Sequence, residues 1–133
     1  MGPVRVRILL DTHTFLWWLD GDSRLRTKPR RVIADETNVI LVSAASAWEI
    51  ATKERLGKLP GAAEVAADVA GCITDQQFES LDISVLHAQR AGRLPGPHRD
   101  PFDRMLAAQA QMEGLPIVSN DDVFDRYGVV RIW

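Results

Sequence analysis

Three apolar runs in this chain each stop at a polar residue and pass directly into helix-forming sequence, and this constrains the fold more than any other feature. Residues 4–10 alternate and then become continuously apolar up to Asp11; residues 38–43, NVILVS, stop at Ser43; residues 115–119, LPIVS, run into Asn120 and Asp121. Runs without a polar face suit parallel strands covered by helices on both sides. Helical patterns follow at 12–19, 44–58 and 121–127. Between them, the spacing predicts a basic, partly helical segment at 22–36 with an irregularity at Pro29. It also predicts one alanine-rich amphipathic helix at 62–74, a short strand at 78–83, helices at 85–94 and 101–113, and a last strand at 129–133. Gly114 stands where a helix end favours glycine. Strands alternating with helices predict an α/β fold, a three-layer α/β/α sandwich with a largely parallel central sheet.

With 133 residues, 46% of them hydrophobic, the chain is expected to form a single domain over 1–133 around one core. A formal net charge of −2 excludes gripping nucleic acid by bulk positive charge. Basic residues do cluster at Arg24, Arg26, Lys28, Arg30 and Arg31, and again at Arg90, Arg93, Arg99 and Arg104; such runs read first as solvated faces. The single cysteine, Cys72, allows no internal disulfide, and Asp11 ends the first apolar run too early for a signal-peptide core. The expected location is therefore cytoplasmic, with no membrane-spanning segment.

In an open parallel sheet, ligands gather beyond the carboxyl ends of the strands. Acidic residues mark those ends here. Asp11 follows the first strand, Ser43, Ser46 and Glu49 follow the second, and Asn120, Asp121 and Asp122 follow LPIVS, while Asp103 opens the helix leading into it. Each has a structural reading beside the chemical one. Asp11 suits an N-cap, Asp100 before Pro101 suits one better, Asp103 and Asp121 suit the first turn of a helix, and Ser46 with Glu49 has the spacing of a capping box. Asp103 resists the bland reading best. At roughly 100° per residue it heads the stripe Leu106, Ala107 and Ala110, where a carboxylate is costly unless paired.

Converging carboxylates repel one another, and a divalent cation reverses the penalty. Magnesium and manganese take oxygen ligands, and such an ion suits phosphodiester hydrolysis: it lowers the pKa of a bound water and offsets charge on phosphoryl oxygens. His13, His87 and His98 lie in separate segments without ligand spacing and read as core or surface residues; a phosphate contact by His98, beside Arg99, is the weaker alternative.

The stretches ILLDTHTFLWWL, LVSAASAWEIATKERLGKL and RDPFDRMLAAQAQMEGLPIVSND together resemble the PIN-domain ribonucleases, specifically the VapC-like toxins of type II toxin–antitoxin pairs, over nearly the whole chain. The resemblance places the family's acids on Asp11, Glu49, Asp103 and, at its most variable position, Asp121, with Asp122 as the neighbouring candidate. It implies an endoribonuclease that uses Mg or Mn held by these four residues. It further implies a cognate antitoxin covering the site, a homodimer, and an RNA substrate such as transfer or ribosomal RNA. On Trp17 and Trp18 core packing is the default, with an antitoxin or dimer surface as the alternative.

Two related readings stay open: a catalytically inactive PIN-like module for RNA binding or assembly, and a metal-dependent DNA nuclease of similar fold. A phosphoacceptor receiver domain is disfavoured, because it needs a lysine after a late strand and the lysines here are Lys28, Lys53 and Lys58.

Overall fold

The computed structural model describes residues 5–97 and 99–133; His98, and with it the weaker phosphate reading, lies outside the described residues. The strands are β1 (Arg7–Leu10), β2 (Val39–Ser43), β3 (Glu79–Leu81), β4 (Ile117–Val118) and β5 (Arg131–Ile132). They form one sheet in the order β3-β2-β1-β4-β5, and every pairing is parallel. The helices are α1 (Thr12–Asp20), α2 (Thr27–Ala34), α3 (Ala44–Arg55), α4 (Ala63–Ala67), α5 (Val69–Asp75), α6 (Val85–Arg93) and α7 (Pro101–Glu113), and a 3-10 helix spans Asp122–Tyr127.

The apolar runs are continuous because the sheet is covered twice. Side chains alternate across a strand. On one face, Ile8, Leu10, Ile40, Val42 and Val118 pack with Phe15, Leu16 and Trp17 of α1, Ile33 of α2, and Val69 and Ile73 of α5. On the other, Leu9, Leu41, Leu81 and Ile117 pack with Leu106, Ala107 and Ala110 of α7 and with Val123 and Phe124 of the 3-10 helix. Leu9 has Leu41 and Ile117 as its register partners, so the middle of β1 is paired on both sides and covered on both faces.

Several expectations need correction. The region 62–74 is two helices, because Asp68 leaves the helical region (φ −155°, ψ 69°) and its carboxylate accepts the Gly71 N–H at 2.9 Å, restarting the chain as α5. A Cβ on Gly71 would stand 2.2 Å from Asp68 Oδ2, so a larger residue there would displace the capping carboxylate. Pro29 causes no irregularity: it sits in the first turn of α2, where an N–H has no intrahelical acceptor to lose. Ser46 is not a cap. Ser43 caps α3, its Oγ accepting the Ala45 N–H at 3.0 Å, while Ser46 lies buried one turn in with its hydroxyl 2.8 Å from that of Thr12. The capping-box reading of Glu49 falls with it. The helix over 44–58 also stops early, at Arg55.

Gln109 is a fully buried polar residue on α7 that ties both neighbouring strands to it. Its Oε1 accepts the Ser43 hydroxyl at 2.5 Å, and its Nε2 donates to the Asp82 carbonyl at 3.2 Å. Gln109→Leu keeps the volume but strands the buried Ser43 proton, and should lower unfolding free energy by about 2 kcal/mol, read from urea melts.

Candidate active site

The chain lays β2 and β3 to one side of β1, then crosses to place β4 and β5 on the other. Such a reversal opens a crevice at the carboxyl edge of the sheet, between β1 and β4. Asp11 occupies that point. Its main-chain N–H donates to the Val118 carbonyl at 3.1 Å, one carboxylate oxygen accepts the His13 N–H at 2.7 Å to cap α1, and the other accepts the Ser119 hydroxyl at 2.5 Å. Asp11 is thus an N-cap, as one of its two readings had it, and is buried as well. Only 6% of the residue is exposed, and burial lifts its pKa above the usual carboxylate value of 3.8; the bonds from Ser119 and His13 oppose the rise, and the Glu49 charge adds to it.

Glu49 projects from the second turn of α3 and is 4% exposed. It is ion-paired with Lys53, one turn further on. Burial alone would lower the Lys53 pKa, but the bond to Glu49 and the charges of Glu49, Asp100 and Asp103 raise it. Lys53 therefore marks the place where the acids of α3 and α7 face each other. Asp100 caps α7 as expected, accepting the N–H groups of Phe102 and Asp103 at 2.9 and 3.1 Å, with Pro101 in the first helical position. Asp103 is half-buried in the same turn, at the head of the buried stripe formed by Leu106, Ala107 and Ala110.

Asp121 is exposed and caps the 3-10 helix through the Val123 N–H at 3.0 Å; its own N–H donates to Ser119 Oγ at 3.0 Å. Ser119 thereby connects the Asp11 carboxylate to the Asp121 backbone. Asp122, also exposed, opens the 3-10 helix, and its charge reaches Arg131, which is itself held by Asp125. Among the described residues, no three His, Cys, Asp or Glu side chains stand close enough together to hold a metal ion by themselves.

The histidines keep their structural roles where described. His87 is buried, completes a capping box with Ser84 and meets Glu113 at 2.9 Å, and the exposed His13 stacks on Trp17 at 5.9 Å. Trp17 is core and Trp18 is partly buried, its indole N–H donating to Gln76 at 2.8 Å. Sequence reading missed two members of the site. Lys53 was signalled by its four-residue spacing from Glu49, and Ser119 by ending an apolar strand in the position that Ser43 occupies in β2.

The comparisons with known proteins agree with this fold. Ribonuclease VapC16 of Mycobacterium tuberculosis is 44% identical over 64 residues, which are 48% of this chain and 44% of that protein's length. Among solved structures, Mycobacterium tuberculosis VapC20, described as a sarcin–ricin loop cleaving toxin, superposes with a TM-score of 0.66 at 20% identity, covering 92% of this chain and 96% of the other. VapBC2 from Rickettsia felis, bound to a promoter DNA fragment, gives 0.66 at 15% identity, covering 95% and 97%. At these identities the structures speak for the fold. The PIN domain family matches residues 8–130, from the second residue of β1 to the residue before β5, and with the parallel sheet and the acids at its carboxyl edge the conclusion is direct: this chain belongs to the PIN domain family.

Proposed function

We propose that this protein is a metal-dependent endoribonuclease acting as the toxin of a VapBC-type toxin–antitoxin pair. The observation that carries the reading is the buried Asp11 carboxylate at the β1/β4 crevice, held by Ser119 and within electrostatic reach of a second buried acid, Glu49. The similarity to a protein named as a ribonuclease and to structures of VapBC complexes supports the RNA substrate and the antitoxin partner.

The donor set is carboxylate oxygen throughout, the chemistry of magnesium and manganese rather than of zinc or copper. Asp11, Glu49 and Asp103 would hold the ion, with Asp121 as the fourth acid; as they stand no three of them are close enough to do so unaided, so the cation itself would draw them together. When bound, the cation supplies a water of lowered pKa and offsets charge on the phosphoryl oxygens. The chain's own residues prepare the place. Ser119 fixes the Asp11 carboxylate, the Thr12–Ser46 contact holds the start of α1 against α3, and Lys53 offsets charge between Glu49 and Asp103. Among the described residues, no helix is long and apolar enough to cross a membrane. A toxin of this kind acts in the cytoplasm as a homodimer, on structured RNA such as transfer or ribosomal RNA.

Asp11→Asn and Asp103→Asn should each lower manganese-dependent RNA cleavage by roughly 100-fold or more, the scale of losing one preorganised electrostatic contact. The purified parent must cut RNA and spare single-stranded DNA, and full activity in either variant would refute the assignment. Stability separates a chemical role from a structural one. An acid whose pKa is raised in the fold adds no cost below pH 3.8, where it is protonated in both states. Its cost grows as pH climbs and is complete above the folded pKa. Metal-free Asp11→Asn should therefore melt no lower than the parent at pH 7.

Saturating manganese should raise the parent's melting temperature by about 5 °C or more, since an ion bound only by the folded state at a hundred times its Kd adds about 2.7 kcal/mol. The shift should vanish in chelator and shrink in Glu49→Gln. A flat melting temperature across the titration would remove the metal from the proposal.

A further inference from the structure

Trp48 precedes the buried Glu49 on α3, yet it is 58% exposed. Its indole meets the Phe102 ring edge-to-face, with centroids 4.9 Å apart and planes at 77°. Phe102 in turn precedes Asp103, and the Lys53 ammonium that pairs with Glu49 stands 6.0 Å from the Phe102 ring centre. The two rings thus come from the same two helices as Glu49 and Asp103, each ring one residue before an acid, and Phe102 lies beside the lysine that pairs with Glu49. The edge-to-face contact anchors the indole while more than half of the residue stays open to solvent.

We infer that Trp48, braced by Phe102, is a stacking platform for an unpaired RNA base beside the cleaved phosphate. The inference rests on the ribonuclease reading above and deepens it. With a net charge of −2 and several acids at the crevice, attraction for a polyanion is weak where the strand must come closest. Stacking supplies affinity that does not depend on charge, and every base has a π-face to offer. A base inside a duplex has both faces occupied by its neighbours, and only an unpaired one reaches an aromatic ring on the protein surface.

The experiment uses the full chain as parent, Trp48→Ala and Trp48→Phe, with a short unstructured fluorescein-labelled RNA and a fully paired duplex of the same sequence. In chelator, anisotropy should show the parent preferring the single strand, Trp48→Ala binding it about tenfold more weakly, and Trp48→Phe recovering most of the loss. With manganese, Trp48→Ala should raise KM and leave kcat nearly unchanged. An abasic substitution next to the mapped scissile phosphate should weaken the parent and leave Trp48→Ala unaffected. Equal single-strand affinity in all three proteins overturns the platform, as does an abasic penalty equal in parent and variant. So does a Trp48→Ala variant that changes mass in gel filtration with RNA affinity intact, which would assign the indole to a contact between proteins. If the parent binds through Trp48 but cuts nothing, the platform stands and the nuclease reading fails; if Trp48→Ala cuts with parental KM, the nuclease reading stands and the platform fails.

Discussion

The bond from the Ser119 hydroxyl to the buried Asp11 carboxylate is the contact on which the carboxyl edge of the sheet depends. Asp11 ends β1 and starts α1, Ser119 ends β4, and the Asp11 N–H donates to the Val118 carbonyl just before it, so the two strands are joined where the topology parts them. A carboxylate taken from water at this point is tolerated because a backbone N–H and a hydroxyl replace part of its hydration. Those bonds do not cancel the cost of burial, since the Asp11 pKa remains raised. The residue is fixed in place and left with a standing preference for added positive charge, which is the condition a cation-binding carboxylate must meet.

The second buried acid is managed differently. Glu49 has an ammonium four residues along its own helix, and that ammonium also lies in the field of Asp100 and Asp103 across the gap between α3 and α7. One lysine thus lets acids on two helices approach each other without mutual repulsion dominating. Asp11 has no such ammonium: the His13 charge lowers its pKa and the Glu49 charge raises it, but burial outweighs both. The charge at the crevice is therefore uneven, paired with a lysine toward α7 and relieved less directly toward β1.

The central strands and the positions of the candidate acids were legible because both follow from short-range pattern. Runs such as NVILVS have no polar face, and this can only be satisfied by covering both sides of a sheet; Asp11 and Glu49 were found from their distance to strand ends. What was missed depended on contacts distant in sequence or on competing local bonds. The spacing to Glu49 pointed to Ser46 as the cap, but the packing of α1 on α3 gives Ser46 the hydroxyl of Thr12 and leaves the cap to Ser43. The break at Asp68 was hidden by alanine content, because a side chain that binds a backbone N–H outcompetes propensity at one position. Ser119 and Lys53 belong to the site through partners, and partners are what a linear pattern does not display.

The positions where this chain departs from ordinary side-chain placement are concentrated at one edge. Among the described residues, the buried acids are Asp11 and Glu49; Asp103 is half-buried at the head of an apolar stripe, and next to Glu49 stands a tryptophan more exposed than buried. Away from that edge, capping serines and aspartates cap, and the apolar faces of α1, α5 and α7 turn to the core. A sequence that obeys local rules elsewhere and breaks several of them within two helix starts and one strand end is under a constraint other than folding. Each departure also has the sign that the proposed phosphodiester substrate would demand. Buried carboxylates favour a cation, the cation offsets the phosphate, and an exposed ring offers the base a surface that the acids cannot.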